Sequence, residues 1–249
     1  MCRHLAYLGP PAILRSVLTD PPFGLLRQSW APRQQRHGTV NADGFGVGWY
    51  ADGDPVPGRY RRAVPMWGDA SFADLTRVTR TRALLAAVRS ATDGTAQGEA
   101  AAAPYAAGPW LFSHNGRLDG WPGSTARLAA TLPAEDLLAL EARTDSALAW
   151  ALVHRRLRDG DSPADALAGV VGELDAAGVT GRFNFLLTDG TTIAATAAGD
   201  TLCYRCRPGQ VVVASEPSDD EPGWCTVADR TVLTARPGLV DTGPLKPPG

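Results

Sequence analysis

The amino-acid sequence predicts an α+β fold in which strands and helices occupy separate stretches of chain. Three observations point to it: strand-like segments come first, helical periodicity fills the middle, and a series of short strand-like segments closes the chain. The regular alternation of strand and helix that builds a parallel sheet is not seen.

Cys2–Leu8 reads as a strand, as does Phe45–Ala51, rich in aromatic and Val residues with glycines where backbones approach closely. Ser71–Thr81 has the pattern of a helix. Ala83–Arg89 is an apolar run short enough to be a buried strand ending on a charge. Asp93–Gly108, rich in Ala and Gly, reads as a loop, and Trp110–Ser113 as a short strand running into Asn115-Gly116, a turn signal. In Asp145–Arg158, Leu148, Ala151, Leu152 and Arg155 recur at helical spacing. Ser162-Pro163-Ala164-Asp165 then offers an N-cap, a proline at the first helical position and an acid at the third, opening a helix towards Asp175. After Gly178 the pattern changes to strands at Arg182–Thr188, Thr191–Ala197, Thr201–Arg207, Val211–Ser215 and Arg230–Arg236, the first two joined as a hairpin by Asp189-Gly190.

Nothing in the 249 residues reads as a linker between two cores, so one domain over residues 2–249 is expected. The formal net charge is -2, and no basic stripe interleaved with aromatics is visible, which argues against nucleic acid as a partner. All but one of the 24 basic residues are arginine, Lys246 being the exception, which fits a GC-rich coding sequence. No apolar run approaches the length of a membrane span and the N-terminus lacks an apolar signal core, so a cytoplasmic protein is expected. Cys2, Cys203, Cys206 and Cys225 are too scattered for a disulfide framework. Cys203 and Cys206 have the spacing of half a zinc site or a redox pair, but residues three apart on a strand face opposite ways and no second pair follows. His4, His37, His114 and His154 show no metal-ligand spacing, and neither metal nor cofactor is expected.

Cys2 stands directly behind the initiator methionine. Removal of Met1 would place a thiol and a free α-amine on the same carbon. The amine, with an unperturbed pKa of roughly 7.7–8.0, is free in part near neutrality to take the thiol proton directly or through a water. Asn115 and Gly116 offer a side-chain amide and a backbone N–H that can converge on one oxygen, as the oxyanion of acyl transfer requires, although Asn-Gly also simply makes turns. Arg89 at the tip of a buried strand suits a bidentate grip on a carboxylate, a surface arginine being the alternative. Asp145 opens a helix, either as its cap or, facing a pocket, as partner to an ammonium.

Cys2, Asn41-Ala42-Asp43-Gly44-Phe45-Gly46, Arg89-Ser90-Ala91-Thr92, Ser113-His114-Asn115-Gly116 and Thr144-Asp145-Ser146, in this order and at these separations, resemble the class II glutamine amidotransferases, which are N-terminal-nucleophile hydrolases. Met1–Gly9, Asp20-Pro21-Pro22, residues 31–38, residues 67–72, Ala214-Ser215-Glu216-Pro217 and Pro222-Gly223-Trp224 are similar to a branch of that family, the amidohydrolases of ergothioneine biosynthesis. The resemblance spans nearly the whole chain. It implies a four-layer αββα sandwich formed by one type-2 amidotransferase domain, loss of Met1, Cys2 as nucleophile, and Asn115 with Gly116 as the oxyanion hole. By the same implication Arg89 holds the α-carboxylate of a γ-glutamyl group and Asp145 its α-ammonium, with Ser90 and Thr92 lining the same pocket. His114 is expected at that pocket as a supporting group. Ala147 follows Thr144-Asp145-Ser146 where many amidotransferases carry an acid, a departure that leaves Asp145 in place.

The implied reaction removes glutamate from γ-glutamyl-hercynylcysteine sulfoxide. Its trimethylammonium suits an aromatic face, for which Trp67, Phe72 and Trp30 are candidates if they are not core. Two other readings stand beside this one: a glutaminase subunit supplying ammonia to a separate synthase, and a zinc- or redox-active module around Cys203 and Cys206.

Overall fold

Side-chain alternation in the first strand divides the molecule. In the computed structural model, which describes residues 2–91 and 94–245, β1 (Arg3–Ile13) sends Leu5 and Tyr7 into one apolar core and Ala6 and Leu8 into another, as the twofold pleat requires. Two short helices, α1 (Leu14–Leu18) and α2 (Leu25–Gln28), lead to β2 (Phe45–Trp49), β3 (Gly58–Arg62), α3 (Ala70–Val78) and β4 (Arg80–Val88). β5 (Tyr105–Ala107) and β6 (Trp110–Leu118) follow, then the short helices α4 (Ala126–Ala129) and α5 (Ala134–Leu138). The long helices are α6 (Asp145–Arg158) and α7 (Pro163–Ala176). The chain closes with β7 (Gly181–Thr188), β8 (Ile193–Ala197), β9 (Cys203–Arg207), β10 (Gln210–Ala214), β11 (Trp224–Thr226), β12 (Thr231–Arg236) and β13 (Leu239–Pro244).

The strands form two antiparallel sheets, ordered β11-β9-β10-β1-β4-β2-β3 and β13-β12-β8-β7-β6-β5. Between them lie Ala6, Leu8, Leu85, Leu111, Leu186, Ala195 and Val213. Leu14, Leu18, Leu25 and Phe72 cover the outer face of the first sheet, against Leu5, Phe45 and Leu84. Leu152, Val153, Val170 and Leu174 of α6 and α7 cover the outer face of the second, against Phe112, Phe185 and Leu187. The result is the four-layer αββα sandwich that the family resemblance implied. No helix among the described residues is long and apolar enough to cross a membrane.

Several boundaries differ from expectation. α3 starts at Ala70, where Asp69 Oδ1 accepts from the backbone N–H groups of Ser71 and Phe72, and stops at Val78. Arg80 and Thr81, expected to end this helix, instead begin β4. The Asn115-Gly116 turn does not form. Asn115 pairs with Asn184 and Gly116 with Phe183, so β6 runs on to Leu118 along the full length of β7. A Cβ on residue 116 would lie 1.9 Å from the carbonyl oxygen of Arg182, so glycine is there for close strand approach. β3, β11 and β13 were not foreseen; each lies at or beside a sheet edge and is largely exposed, so it lacks the apolar alternation that marks a strand. β5 lies inside the stretch read as a loop.

Cys203 and Cys206 do face opposite ways, the first in the outer core and the second packed against the core between the sheets. Burial pushes the Cys203 thiol well up from its ordinary range. Among the described residues no three His, Cys, Asp or Glu side chains come together to hold a metal.

Candidate active site

Cys2 precedes β1 with the parity of His4 and Ala6, so it is directed towards the second sheet. Its Sγ lies 3.9 Å from the carbonyl oxygen of Ser90, just beyond β4. His4, next in the same row, is hydrogen-bonded through Nδ1 to Ser113 Oγ of β6 at 3.2 Å. Ser215 completes the link between the sheets: its Oγ accepts from the His4 backbone N–H at 3.0 Å and from Asn115 Nδ2 at 3.3 Å. The strand that carries Cys2 and the strand that carries Asn115 are thereby fixed to one hydroxyl. Asn115 is fully buried, and its Oδ1 has no partner among the described residues.

The Gly116 N–H follows from strand geometry. Alternate N–H groups along a strand point to the same edge. The Leu118 N–H donates to Asp145 Oδ2 at 3.0 Å, so the Gly116 N–H shares that edge, turned away from β7. β5 pairs only with Trp110, Leu111 and Phe112, which leaves the edge open at Gly116.

Arg89 is buried at the end of β4. Its Nη1 donates to the Asp43 carbonyl at 3.3 Å, and Nη2 donates to Thr95 Oγ1 at 3.1 Å and the Ala96 carbonyl at 2.9 Å. Asp43 in turn accepts from the Ala91 N–H through Oδ2 at 2.8 Å, holding the turn after β4. Asp145 is not the cap of α6. Thr144 takes that role by accepting from the Ala147 N–H, and the Asp145 carboxylate instead reaches Leu118 on β6 and the Ser146 N–H. Tyr105, which sequence reasoning missed because it sits in the presumed loop, bonds to Thr144 Oγ1 at 3.0 Å. Burial chiefly pushes Tyr105 up to about 12; Asp145 and Cys2 add to this, while Thr144 and Arg89 oppose it.

His114 corrects an expectation. Its Nδ1 is bonded to Ser146 Oγ at 3.0 Å and its Nε2 to the Arg182 carbonyl at 2.8 Å, on the face of β6 opposite Asn115. With both nitrogens engaged and the ring buried, it braces α6 from the face of β6 turned away from Asn115. Trp67 is also not brought to Cys2. It meets Trp30 edge to face at 5.7 Å and lines a cavity of about 440 Å³ in the outer helix layer, while Phe72 is core. That cavity shares no residue with the one beside Gly116, which measures about 420 Å³ and is lined by His37, Gly38, Ala91, Gly116, Arg117 and Arg182 among others. Ser90 reaches the site through its carbonyl. Thr92 lies outside the described residues.

A buried arginine next to Cys2 was also missed. Arg3 donates to Gln35 Oε1 at 3.2 Å and to Thr201 Oγ1 at 3.1 Å, and its Nη2 lies 3.8 Å from Asp200 Oδ1. Gln35 Oε1 also accepts from Asn41 Nδ2 at 2.9 Å. Glu216 anchors the same segment by accepting from the backbone N–H groups of Arg33 and Gln34, each at 2.8 Å. These bonds hold His37 and Gly38 over the cavity. Burial lowers the Arg3 pKa, and Asp200 opposes the shift.

Burial, with help from Arg3 and His114, lowers His4 from 6.5 to about 3. His4 is therefore neutral in the folded chain at pH values where the unfolded chain has taken up a proton. The native state gains nothing from this above pH 6.5 and loses stability as pH falls from 6.5 towards 3, by about 1.4 kcal/mol per pH unit for each such histidine. Urea denaturation between pH 7.5 and 4.5 should show a falling midpoint that starts near pH 6.5; a flat profile would mean that His4 is protonated when folded.

The family model for class-II glutamine amidotransferases matches residues 12–216. The chain belongs to that family. It is 44% identical over 245 residues to the gamma-glutamyl-hercynylcysteine sulfoxide hydrolase of Mycolicibacterium smegmatis, covering 98% of this chain and 100% of that one. Identity to the hydrolase of the same name from Mycobacterium tuberculosis strain CDC 1551 is 43% over 233 residues, covering 94% and 92%. Among solved structures, a glutamine aminotransferase class-II domain protein from Silicibacter pomeroyi superposes with a TM-score of 0.71 at 24% identity, over 99% of this amidotransferase and 100% of that chain. The glutamine phosphoribosylpyrophosphate amidotransferase of B. subtilis gives 0.67 at 13% identity, over 98% of this chain and 49% of its own. These two likenesses show the fold.

Proposed function

We propose that this amidotransferase hydrolyses the γ-glutamyl amide of γ-glutamyl-hercynylcysteine sulfoxide, releasing glutamate and hercynylcysteine sulfoxide through a thioester on Cys2. The observation that carries the reading is the 44% identity, over nearly the whole of both chains, to a hydrolase named for that substrate. On this reading residues 2–249 form one type-2 amidotransferase domain, acting in the cytoplasm on a small γ-glutamyl molecule.

Loss of Met1 exposes the Cys2 α-amine, which takes the thiol proton as Sγ attacks the δ-carbonyl carbon of the glutamyl group. The oxyanion receives hydrogen bonds from Asn115 Nδ2 and the Gly116 N–H. Collapse breaks the C–N bond, and the leaving nitrogen takes the proton from the α-ammonium. A water deprotonated by the same amine then cleaves the thioester and restores the thiol. Arg89 and Asp145 hold the α-carboxylate and α-ammonium of the glutamyl head, so binding at the unreactive end orients the carbonyl.

The test is turnover of the conjugate against L-glutamine, with mass spectrometry of the protein during turnover. The expected result is strong preference for the conjugate, loss of Met1 and a glutamyl adduct on Cys2. Preference for glutamine would overturn the reading in favour of an ammonia-supplying glutaminase subunit.

A further inference from the structure

The register of β6 and β7 places Arg117 directly opposite Arg182. Directly opposed residues share a face, and like charges so placed weaken a strand pair. Both follow the parity of Asn115 and Asn184, so they stand on the face turned towards the first sheet, one pleat repeat, about 7 Å, beyond Asn115. Arg117 is offset by its own neighbour, since its Nε donates to Asp119 Oδ1 at 2.6 Å. Arg182 is not offset. Its guanidinium has neither hydrogen bond nor ion pair among the described residues, and its buried Nε has no partner. Its stem packs over Gly199, where a Cβ would come within 3.0 Å of Arg182 Cγ. Both arginines line the cavity of about 420 Å³ that opens beside Gly116.

The position of this cation relative to the reacting centre limits what it can meet. Asp145 lies at the β6 edge turned away from β7, where it binds the Leu118 N–H, and Thr144 beside it is bonded to Tyr105 of β5. Arg89 joins the same side, because Ala96 accepts from its Nη2 and donates its N–H to the Arg143 carbonyl. The glutamyl head thus lies towards β5 and the start of α6, while the arginine pair spans β6 and β7. A carbonyl between Cys2 and Asn115 separates the two, and the group on the arginine side is the leaving amine.

We propose that Arg182, assisted by Arg117, binds the α-carboxylate of the amino acid whose nitrogen carries the γ-glutamyl group, so that the site selects γ-glutamyl amides of α-amino acids over free glutamine. The proposal rests on the hydrolysis at Cys2 described above and adds the basis of its substrate choice. In such an amide the carboxylate is two bonds from the scissile nitrogen, close enough for a guanidinium one pleat repeat away to grip it through paired N–H groups. Glutamine leaves ammonia, which offers this cation nothing.

The test compares wild type, Arg182→Gln and Arg182→Lys on three substrates: the γ-glutamyl conjugate, its analogue lacking the cysteinyl carboxylate, and L-glutamine. Arg182→Gln should lower kcat/KM for the conjugate by about 10- to 100-fold, the scale of a hydrogen bond to a charged group. The loss on the analogue and on glutamine should be at least about tenfold smaller, and Arg182→Lys should recover part of the activity on the conjugate. Equal losses on all three substrates, or no loss on the conjugate, would overturn the proposal. Wild-type preference for free glutamine would overturn both readings; failure of the hydrolase reading alone would show as wild-type preference for γ-glutamylcysteine over the sulfoxide conjugate, with Arg182→Gln still losing more on γ-glutamylcysteine than on γ-glutamylcysteamine.

Discussion

Cys2→Ala removes turnover of the γ-glutamyl conjugate, with kcat falling on the order of 10⁶-fold, the scale seen when a covalent nucleophile is deleted. A chain that keeps Met1 loses nearly as much for a different reason: the nitrogen of Cys2 becomes a peptide N–H and can no longer accept the thiol proton. The two variants separate nucleophile from base. Neither change should unfold the protein, because Cys2 is half-buried and, among the described residues, its Sγ has one long hydrogen bond, 3.9 Å to the Ser90 carbonyl. Circular dichroism should match wild type while the glutamyl adduct disappears from the mass spectrum. Processed wild type should also gain kcat/KM with rising pH through the titration of the α-amine, roughly 7.7–8.0 when unperturbed, since only the neutral amine is a base. Full activity from a chain shown to retain Met1 would remove the amine from the mechanism and leave Cys2 needing another base.

What could be read from the chain beforehand depended on whether a signal was local. β1, β4 and α6 were legible because Leu5 to Leu8, Ala83 to Val88 and Leu148 to Val153 carry unbroken apolar patterns. Cys2, Arg89 and Asp145 sit at the ends of those elements, where the family resemblance places a γ-glutamyl pocket. Asn115-Gly116 was misread as a turn because the local preference of Asn-Gly yields to pairing with Asn184 and Phe183, residues far along the chain. The reading of the pair as oxyanion donors does not need the turn. It needs an open strand edge, which arises because β5 ends where it does. Tyr105, Ser215 and Arg3 were missed for a related reason. Each is polar and buried, and only the packing of both sheets shows that Thr144, Asn115 and Asp200 are their partners. Arg117 and Arg182 look like ordinary surface arginines until strand register sets them side by side.

Asn115→Ala should lower kcat by about 10²–10³-fold, or about 2.7–4 kcal/mol of transition-state stabilisation, with little change in KM. The asymmetry follows from what the amide touches. In the free enzyme Nδ2 donates to Ser215 Oγ at 3.3 Å, and among the described residues the carbonyl end has no partner, so the side chain is tethered there on one side. The second Nδ2 hydrogen meets negative charge only once the carbonyl carbon has been attacked, and an interaction made only then changes kcat and leaves ground-state binding alone. Deleting the amide breaks the Ser215 bond to β6, but His4 Nδ1 still meets Ser113 Oγ across the two sheets at 3.2 Å, so the fold should hold. Ser215→Ala is the companion measurement. It keeps the donor but frees it to rotate, and should cost less in kcat than Asn115→Ala. A rise in KM with kcat within about threefold of wild type would show that Asn115 binds the substrate carbonyl in the ground state instead, and Gly116 would then have to stabilise the oxyanion alone.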